Sequence, residues 1–560
     1  MDLKRLLFVI PLAVLAYLLV IQWSNDYGQQ PAGVDAPPTV AQQEGSGESS
    51  GSGGLNAPAS GSTTPQPGGS QPGSDEAPAE GAPERLISVD TDALDLRIDT
   101  RGGDIVYAAL PKYQRQLGAS DPYVLLSDNQ QRSYIARSGL QLEGHEGRID
   151  FSAAQNSYQL GDGNQLQVDL SATVNGVDII KRFTFKRDSY VVDVQYLLDN
   201  TGQTPVTARF IGQLARDNSA DPTQGAGIGM KSFLGAAFSS PEDHYQKVGF
   251  DDIQNGSFPN RDVNGGWVAM LQHYFVSAWV PGQQQQNLYY ADVDRRGRNV
   301  AAFAGPTESV APGQSADLEA RLYIGPKEHD RLDAVAPYLQ LTVDFGWLWF
   351  LANPLFWLLT QIHALVGNWG VAIILLTVLV KAVLFPLSAT AYKSMAKMRK
   401  MGPEMQRIKE QHGDDRQKMS QEMMKFYQKE KINPLGGCLP IVVQMPVFIA
   451  LYWMLMESIE LRHAPFFLWI HDLSAQDPYF ILPIIMGLTM FLQQQLNPTP
   501  PDPTQAKIMK MLPIVFTFFF LWFPAGLVIY WITNNLLSIA QQYYITRKIE
   551  KNDEIKATSS

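Results

Sequence analysis

The stretch Met511–Thr546 holds 36 residues without a single charge. As one helix it would be about 54 Å long at 1.5 Å per residue. That is nearly twice the ~30 Å hydrocarbon core of a bilayer. Pro524-Ala525-Gly526 offers a break that divides it into two short crossings. A chain carrying such a run is expected to live in a membrane.

Other apolar blocks precede it. Cys438–Met456 is 19 residues without a charge, close to the ~20 that span a bilayer. Tyr479–Leu492 is shorter and ends in Gln493-Gln494-Gln495. Trp369 opens an uncharged stretch to Val380, followed by Lys381 and then Ala382–Leu387. Orientation follows from residues 388–437, where eleven Lys/Arg face six Asp/Glu, so this segment is expected in the cytoplasm. The expected spans are 369–387, 438–458, 479–496, 508–523 and 527–546. A periplasmic loop falls at 459–478, a cytoplasmic loop at 497–507 and a cytoplasmic tail at 547–560. A single final crossing would strand Arg547-Lys548 outside. Residues 345–368, with Phe345, Trp347, Trp349, Phe350, Phe356 and Trp357 and a break at Pro354, suit a helix lying along the outer surface.

The first part of the chain has a different character. The whole chain carries −11, yet residues 345–560 carry +5, which leaves −16 for residues 1–344. Mean hydropathy, −0.12, hides that division. Lys4-Arg5 followed by an uncharged run from Leu6 to Ile21, with no small-x-small cleavage site, predicts an uncleaved signal-anchor over 1–24. Residues 25–83 are mostly Gly, Ser, Pro, Gln, Ala and Thr, with almost no large apolar residue, and predict a disordered tether. Over 84–344 the pattern turns to period two: Leu94, Leu96 and Ile98 alternate with polar residues before the turn Arg101–Asp104. Gly161-Asp162-Gly163-Asn164 reads as a hairpin-type turn. A large all-β, sandwich-like domain on the periplasmic side is expected.

Several chemistries lose support. Cys438 is the sole cysteine, which rules out an internal disulfide and reads as a packed hydrophobe. Gly225-Ala226-Gly227-Ile228-Gly229 lacks the following lysine and the strand–helix context of a phosphate loop. The eight His residues show no metal spacing. No catalytic, metal or cofactor set is found, and the acidic half has no basic stripe for nucleic acid.

Three features remain. Lys381 sits about 18 Å along its helix from Trp369. It is either a lysine snorkelling to the cytoplasmic end, five or six residues away, or a functional charge. Thr377, one turn earlier, shares its face, and Gln444, Gln493-Gln494-Gln495, Thr517, Thr533, Asn534 and Asn535 add polarity to the spans. Such groups glue helices together or line a hydrated groove. In the cytoplasmic hairpin Met395, Met398, Met401, Met405 and Ile408 recur at helical spacing. Pro403 is expected to bend that helix, and Asp414 to cap a second one with Met419, Met423 and Met424. These methionines either fill the hairpin's own interior or present an adaptable apolar surface to clients.

The order of anchor, β domain and five spans resembles the bacterial YidC membrane-protein insertase family. The most specific stretches are Asn433–Pro440 with Gln444-Met445-Pro446, then Leu468–Leu473, then Leu521–Leu527. The resemblance implies a multi-domain membrane protein with a β-supersandwich periplasmic domain and a five-span helical core carrying a cytoplasmic hairpin. It also implies a groove open to cytoplasm and lipid with one positive residue, here Lys381 in place of the family's usual arginine. Thr377, Tyr530 and Trp531 match groove-lining positions. Implied partners are nascent membrane proteins, the lipid bilayer and the Sec translocon, in the bacterial inner membrane with both termini cytoplasmic. The ribosome is a further candidate, but the tail after Arg547 is short and mixed in charge, which argues against docking through it. No cofactor is implied. The rival class, a polar-solute transporter or channel, would predict a continuous path and inverted repeats, and no internal duplication is seen in the spans. A periplasmic ligand-binding protein merely anchored by its spans is a third class.

Overall fold

The computed structural model describes residues 85–224, 231–412, 415–430, 439–497 and 503–558. The expected anchor 1–24, the tether 25–83, the glycine-rich loop at 225–229 and Asn433–Cys438 lie outside them.

Alternation in the first half becomes two stacked sheets of ten and nine strands. Asp95–Asp99 buries Leu96 and Ile98 and turns its polar residues outward, as a half-buried pleat requires. The Arg101–Asp104 turn uses Gly102 and Gly103 at φ +84° and +67°, a region only glycine enters cheaply. Gly161–Asn164 is not a hairpin. It is a corner between Ser157–Gln159 in one sheet and Gln165–Val174 in the other. The actual hairpin comes next, where Asn175-Gly176, at φ +53° and +78°, joins Gln165–Val174 to Val177–Lys186. Between the sheets lie Phe183, Tyr196, Phe210, Trp267, Trp279 and Phe303, all buried. Lys181 is buried with them, donating three hydrogen bonds to the carbonyls of Gly102, Gly103 and Ser138 at 2.8–2.9 Å.

The second half is helical: α1 Trp349–Val366, α2 Trp369–Val383, α3 Phe385–Lys400, α4 Gly402–His412, α5 Arg416–Lys429, α6 Leu439–Glu457, α7 Ile481–Gln495, α8 Pro503–Phe519 and α9 Ala525–Thr558. Among the described residues Gly346–Val366, and α2–α3 taken as one bent unit, have the length and hydropathy to cross a membrane. Val443–Glu457 and α7 are apolar but shorter. Helix α1 buries only Ala352, Leu355 and Leu359 and leaves its tryptophans exposed.

Several boundaries differ from the sequence reading. The span expected over 369–387 ends at Val383, and the chain bends by 68° into α3. Pro386 falls in the first turn of α3, where its missing N–H costs nothing. The methionine helix breaks at Met401, just before Gly402 and Pro403. The cap of α5 is Asp415 rather than Asp414; its carboxylate accepts from the backbone N–H groups of Gln417 and Lys418 at 3.0 Å. Helix α9 runs on through the expected tail to Thr558.

The segment 459–480 folds down onto the helices. Asp477 accepts from the N–H groups of Tyr479 and Leu482, capping the start of α7, and from the Trp469 indole at 3.0 Å. Ala475 and Leu473 accept backbone bonds from Ala525 and Gly526, pinning the break between α8 and α9. The β domain docks on the same end of the bundle. Arg462 donates to the carbonyls of Gln114 and Arg115, and the His273 ring bonds the Met456 carbonyl at 2.9 Å.

Candidate functional site

Lys381 stands in the last turn of α2, where its charge complements the partial negative end of the helix. Its side chain does not run out to the helix end. It is 3% exposed, and its ammonium donates to Ser538 Oγ of α9 at 2.7 Å. The side chain turns inward, toward α9. No carboxylate lies within 4 Å of the ammonium and no second hydrogen bond uses it among the described residues, so two N–H bonds remain unspent. A buried ammonium with spare donors demands water or a ligand group.

The surroundings are polar in an ordered way. Ser538 donates its own proton to Asn534 O at 2.7 Å. Asn535 donates to Thr489 of α7 at 3.1 Å, and Gln542 donates to Leu496 O and Asn497 Oδ1. Spaced three and four apart, Asn535, Ser538 and Gln542 form one stripe along α9. Ser388 and Tyr392 of α3 are buried, and Tyr392 turns its hydroxyl toward Ser538. Thr377, 1% exposed, spends its hydroxyl on Ile373 O within α2.

Tyr530 and Trp531 lie elsewhere on α9. Trp531 packs on Phe448 at 4.6 Å and Phe520 at 5.2 Å, and its buried indole N–H has no partner among the described residues. Seven residues separate it from Ser538, about 10 Å along the helix. Gln444 is half-buried on α6, and among the described residues no hydrogen bond joins it to the Lys381 cluster. The structure therefore brings Lys381 together with Ser538, keeps Thr377 one turn earlier on α2, and sets Tyr530 and Trp531 in an aromatic cluster.

The hairpin methionines divide. Met405 and Met423 are buried, and the Tyr427 hydroxyl reaches Met405 Sδ at 3.6 Å. These two fill the hairpin's interior and are not open to a client, which corrects the expectation for them. Met395, Met398 and Met419 are half-buried and Met424 is exposed. Among the described residues no three His, Cys, Asp or Glu side chains gather as a metal site.

Ser538 was missed in the sequence. Its signal lies in the spacing: Ser538 and Gln542 continue the polar face of Asn535 at helical intervals.

Two protein families match in succession: the YidC periplasmic domain over residues 86–358 and the 60Kd inner membrane protein over 361–552. The membrane protein insertase YidC of Pseudomonas fluorescens (strain SBW25) is 52% identical over 557 residues, covering 98% of this chain and 99% of that relative. Those of Stutzerimonas stutzeri (strain A1501) and Azotobacter vinelandii (strain DJ / ATCC BAA-1303) are 51% and 50% identical, with the same coverage. The chain belongs to the YidC family. As a YidC-family protein it is a membrane protein insertase of the inner membrane, with a periplasmic β-sandwich domain and a helical C-terminal region. Its substrates are nascent membrane proteins.

Proposed function

We propose that insertion runs through a hydrophilic groove centred on Lys381, with or without the Sec translocon. In this reading the core has five spans, with α1 lying at the outer interface, both termini in the cytoplasm and the hairpin α3–α5 facing the arriving client. Met395, Met398, Met419 and the exposed Met424 supply an adaptable greasy surface, while Met405 and Met423 hold the hairpin together. The client's short polar flank enters beside Lys381. Its apolar segment then slides into lipid, driven by its own burial at about 25 cal/mol per Å².

The observation that carries this is the inward ammonium of Lys381, buried yet with two donors unspent among the described residues. An acidic flank finds there a charge and hydrogen bonds that a neutral flank does not use. The test is to change Lys381 to Ala and to Glu in the full chain and follow insertion of a small client with an acidic flank in proteoliposomes. Insertion should fall about tenfold in Ala, the loss of a charge-assisted contact, and further in Glu. Unchanged insertion in both variants sinks the role given to this charge.

A further inference from the structure

Lysine is a poor choice for a fixed charge. Its ammonium is a point on a stem with four rotatable bonds, unlike the rigid fork of arginine. Left alone near the end of a helix, such a side chain extends to the polar boundary. Something in this protein prevents that.

We infer that Ser538 is the positioning residue that holds the Lys381 ammonium inside the groove and thereby sets the preference for acidic client flanks. The inference rests on the reading of Lys381 just given. Three observations support it. The Ser538 hydroxyl proton is committed to Asn534 O at 2.7 Å, so toward Lys381 its oxygen acts as an acceptor, strengthened by the bond it donates. Ser538 is 2% exposed, so water does not compete freely for that oxygen. Its backbone is fixed on both sides, by Asn535 on Thr489 and by Gln542 on Leu496 O, three and four residues away.

The chemistry of the pairing also matters. A carboxylate in place of Ser538 would neutralise the ammonium. A hydroxyl oxygen takes one N–H bond and leaves both the charge and two donors for a client carboxylate. Ser538 orients Lys381 without silencing it.

The experiment compares two matched single-span clients, one with two Asp and one with two Asn in the translocated flank. Insertion into proteoliposomes containing the full-length protein is read by protease protection. The wild-type ratio of acidic to neutral insertion is the reference. Ser538→Ala should lower that ratio about tenfold, toward the value for Lys381→Ala, while insertion of the neutral client stays within about twofold. Ser538→Thr, which keeps the oxygen, should restore the ratio. In Lys381→Ala, adding Ser538→Ala should change nothing further. Ser538→Cys, near in shape but a weak acceptor, carries the same test if the alanine variant fails to assemble.

An equal fall for both clients in Ser538→Ala marks a structural role and overturns the inference. So does an intact ratio in Ser538→Ala beside a collapsed ratio in Lys381→Ala, which leaves the groove reading standing. If Lys381→Ala keeps the ratio, both fall together.

Discussion

The Lys327 ammonium lies 3.9 Å from the Glu457 carboxylate, and both side chains are almost wholly buried, at 2% and 1% exposure. Lys327 follows the strand Ser315–Pro326 of the β domain, and Glu457 is the last residue of α6. Ser232 donates to the same carboxylate at 3.0 Å. Burial pushes the Lys327 pKa below its usual range, and Glu457, Asp344 and Asp221 oppose that.

The first prediction concerns this pair. Lys327→Met alone leaves a buried carboxylate unpaired and should cost about 3–5 kcal/mol. Lys327→Met with Glu457→Leu should recover most of that loss, because no charge is left stranded. Thermal unfolding of the full chain in detergent checks both. A double variant as weak as the single one would show that the pair is not the source of the cost.

A second prediction concerns pH. Burial drives the Lys181 pKa down to about 7, against the pull of Asp104. The unfolded chain, with its lysine near the ordinary 10.5, then holds this proton more tightly than the folded one. Stability from this group is therefore flat below about pH 7 and rises above it, by up to about 1.4 kcal/mol per pH unit. Lys181→Met should flatten that rise. It should also cost about 1–3 kcal/mol for each of the carbonyls of Gly102, Gly103 and Ser138 that finds no water. Unfolding curves between pH 6 and 9 read both effects.

A third prediction tests how α7 and α8 meet. A Cβ on Gly487 would overlap the Thr517 hydroxyl, which donates to Pro513 O at 2.7 Å. Gly487→Ala should therefore cost about 1–3 kcal/mol through overpacking. Adding Thr517→Ala should return most of it. Melting temperatures of the two variants in detergent decide the matter.

How much was legible in the sequence depended on the range of the interaction. Period-two burial around Leu94–Ile98 and the turn at Gly102-Gly103 are local, and the residues state them directly. Gly161–Asn164 has hairpin chemistry yet serves as a corner, because partner choice between two sheets is set by packing far along the chain. Asn175-Gly176 carries the stronger hairpin signal, with both residues at positive φ. Capping by Asp415 rather than Asp414 turns on one residue of register, and adjacent aspartates do not reveal it. Lys381 was visible as an anomaly in an apolar helix. Its direction was not, since snorkelling and inward pointing use the same residue and differ only in whether an acceptor waits 157 positions away.

The bend at Leu384 has a mechanical meaning. Helices α2 and α3 are one covalent rod with an elbow, and Lys381 sits a single turn before it. Helix α3, at 16 residues, is about 24 Å long. A swing of about 10° about the elbow would carry its far end some 4 Å and barely displace Lys381. On the groove reading proposed above, such a swing lets the hairpin follow clients of different bulk while Lys381 keeps its place.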